Sequence, residues 1–244
     1  MATARPSLPR WRGDRLFFAG MSLAVALTIF AGFARTYYLS HWLAPPARTP
    51  DITPLLHAHA LIFTLWVCLL VVQPALVAGG RVALHRRLGI GGAVLAALVW
   101  GLGNLAAVKA IHAGFARVGD PYAFYAITFF SIQAFGIIVA LSVLWREYPE
   151  THKRLMLLSS AAILEAAVGR LPVGIVAEAA PLSFYVGSDL VIVAGVAYDL
   201  VSRGAVHPVW IWGGGALIAS QLFRVAVMDT APWLAFAHWA ASLV

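Results

Sequence analysis

The chain has 244 residues, of which 61% are hydrophobic and only 11% are charged, and its mean hydropathy is +0.85. Globular proteins average about 25% charged residues, so this composition excludes an ordinary soluble domain and indicates an integral membrane protein. The formal net charge of +7 would favour nucleic acid as a partner of a soluble protein. Here the Lys and Arg residues lie mostly in short segments between apolar runs, a pattern typical of topology signals that contact lipid headgroups. We therefore expect a lipid bilayer, and no nucleic acid, as the partner.

The first apolar run follows four arginines and so has the outline of a signal peptide. The run Leu16–Ala34 is longer than the apolar region of about 7–15 residues in such peptides, and we expect it to be retained as a membrane helix. Residues 1–15 are then a cytoplasmic N-terminal segment. The single cysteine, Cys68, lies inside an apolar run, which excludes an intrachain disulfide.

A membrane-spanning helix needs about 20 mostly apolar residues, and runs of this length predict an all-α polytopic bundle that forms one domain over residues 1–244. Seven transmembrane helices are predicted, at Leu16–Leu39, Pro54–Ala78, Leu88–His112, Ala123–Trp145, Leu155–Val176, Ser183–Val201 and Pro208–Met228. The segment 40–53 contains three prolines and is predicted to be an outer loop over the mouth of the bundle. The Trp-containing segment 231–244 is predicted to be a short interfacial helix.

The distribution of basic residues predicts the orientation. With seven spans, eleven of the 17 Lys and Arg residues fall on the side of the N-terminus. Cytoplasmic loops carry the excess of basic residues, so we expect a bacterial inner-membrane protein with a cytoplasmic N-terminus and an external C-terminus.

Several polar side chains fall at mid-depth or in the outer half of the predicted spans. They comprise two acids, two arginines and three amides: Glu165, Asp189, Arg170, Arg224, Asn104, Gln133 and Gln221. An ionisable group in hydrocarbon costs a few kcal/mol, so this clustering predicts a polar cavity open to the outer face, with Glu165 or Asp189 paired to Arg170 or Arg224. The alternative is that these residues only join helices together.

Histidines lie near both ends of the predicted bundle. On a helix, His57 and His59 point about 200° apart, so at most one of them faces the bundle. One of the two, together with His112, is geometrically allowed to form an outer zinc or haem site. At the inner side, His85 and His152 each begin an apolar run beside basic residues, and imidazole is a ligand of haem iron. The alternative for the inner pair is two cytoplasmic turns whose charges fix the topology.

Short motifs carry a family resemblance over about half of the chain, from the second predicted span to the fifth. The sequences LHAH (56–59), RVALHRRLG (81–89) and THKRLM (151–156), with Gln73 and Arg170, resemble the DUF2306-like bacterial multi-span membrane proteins. The basic-His-Leu-Gly turn is similar to the haem-ligand segments of the cytochrome b561 superfamily, in which histidines on four core helices hold two haems. The fourth predicted span has no histidine, so this resemblance implies a single inner haem b, held by His85 and His152.

Other chemistries lack their motifs. The last predicted span has neither the lysine of a retinal protein nor the H-x-x-x-H pair of seven-span zinc hydrolases, and the chain has no P-loop, G-x-S-x-G or H-E-x-x-H sequence.

Three hypotheses remain, and no catalytic residue is predicted under any of them. The first is a haem b or metal redox protein that exchanges electrons with a quinone or another membrane protein. Its candidate ligands are His85, His152, His59 and His112, and it ranks first because imidazoles occur at both membrane faces. The second is a binding or transport protein for a small or lipidic molecule in the outer cavity. The third is a structural or assembly subunit of a membrane complex.

Overall fold

The computed structural model describes residues 10–46, 49 and 51–244, with side chains from residue 13 onward. Residues 1–9 of the predicted cytoplasmic segment, and Arg48, lie outside the described residues. The described chain is all-α and has no strand. Its helices are α1 (Arg10–Phe33), α2 (Pro54–Ala78), α3 (Val82–His112), α4 (Pro121–Leu144), α5 (Pro149–Ala161), α6 (Glu165–Val168), α7 (Gly174–Glu178), α8 (Val186–Arg203), α9 (Gly215–Val227) and α10 (Ala231–Ala241). A π-helical turn, Ala34–Tyr38, continues α1, another at Val209–Gly214 precedes α9, and a 3-10 turn at Leu182–Tyr185 precedes α8.

Two of the long helices begin at a side-chain cap followed by proline. The hydroxyl of Thr53 accepts a hydrogen bond from the Leu56 amide before Pro54 opens α2. In the same way, the Asp120 side chain accepts hydrogen bonds from the amides of Tyr122 and Ala123, and Pro121 opens α4. Capping oxygens satisfy amides that have no partner within the helix, and proline is favoured at the first helical position. These caps fix where both helices start, at the same end of the bundle.

The structure confirms an all-α bundle with several helices that can span a membrane, but their number differs from seven. Five segments are long and apolar enough: Gly13–Tyr38, Pro54–Ala78, Val82–His112, Pro121–Leu144 and Leu182–Arg203. The segment Val209–Val227 meets the same criterion only together with Ala231–Ala241, from which it is bent by 91°. The count among the described residues is therefore five, or six if this bent pair is one span.

The fifth predicted span, Leu155–Val176, is not one long helix. The segment that begins at Pro149 runs through the centre of the bundle, but α5 ends at Ala161 and α6 begins only at Glu165. Ser131 of α4 donates a hydrogen bond to the carbonyl oxygen of Ala162 at 2.6 Å. A side chain inserted into the backbone hydrogen-bond ladder is a common cause of such a break. The break exposes Glu165 to the space between α2, α3 and α4.

We call the end of the bundle where α1, α3 and α5 begin, and where α2 and α8 end, the N-terminal face. Three carboxylates and three cations join α1, α5 and α8 there: Asp14, Glu150, Asp199, Lys153, Arg154 and Arg203. Arg154 and Asp199 are fully buried and form a two-point ion pair, with Arg154 Nε 2.9 Å from Asp199 Oδ2. Lys153 and Arg203 both contact Asp14 Oδ2 at 2.6 Å. This ion network has no net charge and holds three helices together.

Candidate functional site

A cavity of about 330 Å³ lies at the opposite end of the bundle, between the end of α1, the start of α2, the end of α3, the start of α4, and α6. Its wall is mostly aliphatic and aromatic, and Phe33, Phe63 and Phe124 are examples. The charged and imidazole side chains on the wall are Asp51, His59, Lys109, Arg117, Glu165 and Arg170. Residues 49 and 51–53 of the predicted outer loop also line it. The π-helical turn of α1 lines it too, and such turns are frequent at functional sites.

Two arginines on this wall face the same aromatic ring. Arg170 Cζ lies 4.6 Å from the ring centre of Phe33 and 5.6 Å from that of Phe115. Arg117 Cζ lies 5.8 Å from the ring centre of Phe115. Arg170 donates one hydrogen bond, to the Ala166 carbonyl at 2.5 Å, whereas Arg117 Nε is buried with no partner. Burial lowers the pKa of Arg117 below its ordinary value.

No carboxylate among residues 10–46, 49 and 51–244 lies within ion-pair distance of Arg117 or Arg170. The aromatic rings offset part of this positive charge, since a cation over a ring is stabilised by about 0.5–2 kcal/mol. The cavity therefore carries two guanidinium groups with no described carboxylate within ion-pair distance. Asp51, Lys109 and Glu165 are the other charged groups on a wall that is mainly apolar.

Glu165 is the buried acid of the cavity and is only 4% exposed. Its Oε1 contacts the hydroxyl of Ser131, and Arg224 Nη1 lies 3.7 Å from the same oxygen. Its Oε2 is buried and has no hydrogen-bond partner. The sequence placed Glu165 and Arg224 in one polar group, and the structure brings them within ion-pair distance without a direct hydrogen bond.

Arg224, Asp189 and Gln221 lie behind the cavity rather than on its wall. Arg224 is fully buried, and its Nε donates to Ser220 Oγ at 3.2 Å. Both of its terminal nitrogens lack a hydrogen bond. Gln221 donates to Ser188 Oγ at 2.9 Å and so joins α9 to α8. Asp189 Oδ1 is buried without a partner.

Asn104 and Gln133, the other two predicted cavity residues, join α3 to α4. Gln133 donates to Asn104 Oδ1 at 2.7 Å and accepts from Trp100 Nε1 at 2.9 Å. Asn104 donates to the Trp100 carbonyl at 2.8 Å. Their amides are thus occupied with each other and with Trp100, and neither lines the cavity. The arrangement matches the alternative in which polar residues hold helices together.

The structure decides which histidine at the start of α2 faces the bundle. His59 lines the cavity, its ring lies 4.2 Å from that of Phe63, and its Nδ1 is buried without a partner. His57 is exposed, and its Nδ1 lies 3.3 Å from the hydroxyl oxygen of Tyr37. His112 is exposed and is bonded to the Ala241 carbonyl at 2.9 Å, outside the cavity wall. Of these two histidines, His59 lines the cavity and His112 does not, so the structure does not bring them together in one site.

At the N-terminal face, the structure brings His85 and His152 together, with ring centres 6.3 Å apart. Nδ1 of His152 lies 2.9 Å from both the carbonyl oxygen and the hydroxyl of Ser142. When the Gln73 amide is oriented to satisfy its neighbours, its nitrogen lies 2.7 Å from His85 Nδ1. Hydrogen bonds of this kind orient imidazoles that bind metals. Because they engage Nδ1 of His152, Nε2 is the nitrogen that could bind a metal.

The described residues contain no group of three or more His, Cys, Asp or Glu side chains arranged to hold a metal ion. This finding concerns metal sites with three or more protein ligands, whereas a haem b would be held by the two imidazoles of His85 and His152. No protein-family model, curated protein or solved structure matches the chain. Both family resemblances stay predictions.

Proposed function

We propose that the cavity binds a small amphipathic organic anion, and that the protein is a binding or transport protein for such molecules. The observation that carries the proposal is the pair Arg117 and Arg170, two guanidinium groups beside one aromatic ring with no described carboxylate partner. Cations in an apolar interior are costly unless they are paired. An anionic headgroup supplies the missing charge, and a planar guanidinium accepts a carboxylate or sulfonate through two parallel hydrogen bonds.

The remainder of the wall favours an apolar tail on the same molecule. Ligand sites typically have volumes of about 300–1,000 Å³ and mostly hydrophobic linings with a few polar groups, and the cavity of about 330 Å³ is at the small end of that range. A short alkyl or aromatic chain therefore fits better than a full diacyl lipid. His59 Nδ1 and the Thr36 hydroxyl, both buried without partners, add polar groups to the cavity wall.

The test is the binding of octanesulfonate to the protein in lipid nanodiscs, measured by calorimetry. We expect Arg170→Gln to weaken binding about 10- to 100-fold, because a hydrogen bond to a charged group contributes about 1.5–3 kcal/mol. Arg87→Gln is the matched control, since it removes the same charge from an exposed position at the N-terminal face. Equal affinities in the two variants, with a lower unfolding temperature for Arg170→Gln, would assign Arg170 to packing alone.

A second candidate function is supported by the facing rings of His85 and His152. The ring centres lie 6.3 Å apart, which leaves room for one metal ion between the two imidazoles. His85 and His152 would hold haem b, which would supply one-electron chemistry, with a quinone or another membrane protein as the electron partner. The donor set of two imidazoles fits this cofactor.

A reduced-minus-oxidised absorption spectrum of protein purified in mild detergent tests this second candidate. If haem is bound there, His152→Ala abolishes the bis-histidine signal while the protein stays helical. His41→Ala, at an exposed position on the other face, leaves the signal unchanged. A colourless wild-type protein after haem supplementation would eliminate the candidate.

The proposed location is the inner membrane of a bacterium, with the N-terminal face in the cytoplasm. The support is the excess of Lys and Arg on that side of the bundle. In this orientation the cavity opens toward the outside, so its anionic ligand enters from the extracytoplasmic space or from the outer leaflet.

A further inference from the structure

The hydrogen bonds around Ser131 leave one proton to be accounted for. Its hydroxyl lies 2.6 Å from the Ala162 carbonyl and also contacts Glu165 Oε1. A serine hydroxyl has one proton to donate, and the carbonyl cannot donate. Both contacts are full hydrogen bonds when Glu165 carries a proton and donates it to Ser131, while Ser131 donates to Ala162. With an ionised Glu165, the two acceptors would have to share the single serine proton.

The other oxygen of Glu165 leads to the same conclusion. A buried carboxylate needs several hydrogen bonds or a close cation to stay ionised. Oε2 has no partner, and Arg224 approaches only Oε1, at 3.7 Å. The described geometry therefore suits the neutral acid, and ionisation of Glu165 at higher pH would draw Arg224 Nη1, which lies 3.7 Å from Oε1, toward the carboxylate.

The charged and titratable groups around Glu165 come from every helix packed against it. Arg170 follows it in the chain, and His59 of α2 lies on the same cavity wall. Arg224 of α9 stands behind it, and Tyr185 lies beneath the guanidinium of Arg224, 5.7 Å from its Cζ. Asp189 of α8, Tyr37 and Tyr38 of the π-helical turn that continues α1 and, elsewhere on the cavity wall, Arg117, Lys109, Tyr125 and Asp51 complete the set.

We propose that Glu165 is a proton-binding site coupled to the anion site, so that each bound anion is accompanied by one proton on Glu165. This inference rests on the proposed function of the cavity. When Glu165 is ionised it pairs with Arg224 and repels an anion held by Arg170. When it is protonated, the arginines on the wall are left to the anion. The coupling is reciprocal, because a ligand that favours the protonated form must also raise proton affinity.

Octanesulfonate is a suitable probe because it stays ionised at every pH used, so any proton taken up is bound by the protein. We expect its affinity for the wild-type protein in nanodiscs to increase as the pH falls from 8.5 to 6, by up to about tenfold per pH unit. Glu165→Gln mimics the neutral acid and should bind equally well across this range, with an affinity at pH 8.5 above that of the wild type. His59→Gln removes the imidazole of the cavity wall; it should weaken binding at every pH and keep the wild-type slope of affinity against pH.

Proton uptake is also measurable without any variant, by calorimetry in two buffers of different ionisation enthalpy. Uptake of about one proton per sulfonate above neutral pH supports the coupling. The coupling is overturned if binding is independent of pH with no uptake, or if His59→Gln rather than Glu165→Gln removes the dependence. Failure of the wild type to bind the sulfonate at any pH would instead overturn the proposed function of the cavity.

Discussion

The six charged side chains of the ion network at the N-terminal face differ in burial, and burial decides how much each contributes to stability. Arg154 is fully buried with Asp199, whereas the Arg203 side chain is 26% exposed. Breaking a buried ion pair by removing one partner typically costs about 3–5 kcal/mol, since the other charge stays in the interior. Exposed pairs contribute only about 0–1 kcal/mol.

We therefore expect Arg154→Met to lower the free energy of unfolding by about 3–5 kcal/mol, and Arg203→Gln by about 1 kcal/mol or less. Denaturant unfolding in detergent, followed by tryptophan fluorescence, measures both. Replacing Asp199 by Asn in the Arg154→Met background should restore part of the loss, because it removes a buried carboxylate whose remaining ion pair is with the partly exposed Arg203. If both arginine variants lowered the free energy of unfolding equally, burial would not determine how much each ion pair contributes.

For individual residues, the sequence identified the charged side chains that lie in unusual positions. Glu165, Arg170 and Arg224 stand out because a charge within an apolar run demands an explanation. Arg117 and Asp199 were not singled out, because charges at the ends of spans are ordinary topology signals. Ser131 gave no signal either, since a serine is well tolerated in a membrane helix. Its role depends on a carbonyl that only the broken helix exposes.

The packing of the helices depends on close approaches between their backbones, and the clearest example is between α1 and α6. A Cβ added to Gly32 would lie 2.2 Å from the carbonyl oxygen of Ala167, which is a backbone atom and cannot rotate away. Gly20, in the same helix, has open space around the same position. Small residues at helix interfaces allow this kind of contact.

We expect Gly32→Ala to destabilise the protein by about 1–3 kcal/mol, the usual cost of overpacking, and to increase the distance between α1 and α6. Gly20→Ala should cause no loss, since alanine is the better helix former by about 1 kcal/mol. Apparent unfolding temperatures of the two variants in one detergent test this. A Gly32→Ala protein as stable as Gly20→Ala would show that α1 and α6 do not pack this closely.

Helix bounds were predictable where local chemistry sets them. Both ends of α2, Pro54 and Ala78, were predicted, because the Thr53–Pro54 cap and the glycines at 79 and 80 are local signals. The start of α3 was predicted six residues late, because the basic turn 81–87 looks like a loop but continues the helix as a polar end. The break in the fifth predicted span could not be predicted, since its cause is a side chain of α4 that is distant in the sequence.

The whole molecule has two chemically different ends, and a bundle that spans a membrane presents them to different compartments. The ion network and the His85–His152 pair lie at the N-terminal face, whereas the cavity and α10 lie at the other. The contact between His112 and Ala241 places the C-terminal helix there. Apolar periodicity alone predicts neither the depth of the cavity nor the helices that enclose it, because both follow from how the helices pack.

The orientation can be determined with single cysteines, because the native chain has only Cys68. In a Cys68→Ala background, Ala113→Cys and Ala83→Cys are a matched pair, both exposed, at the cavity end and at the N-terminal face respectively. We expect a membrane-impermeant maleimide to label Cys at 113 in intact spheroplasts, and Cys at 83 only after lysis, because basic residues are retained in the cytoplasm. The reverse pattern would turn the cavity toward the cytoplasm, and the anion would then be loaded from inside the cell. Labelling of both sites before lysis would contradict the placement of the two ends on opposite sides of one membrane.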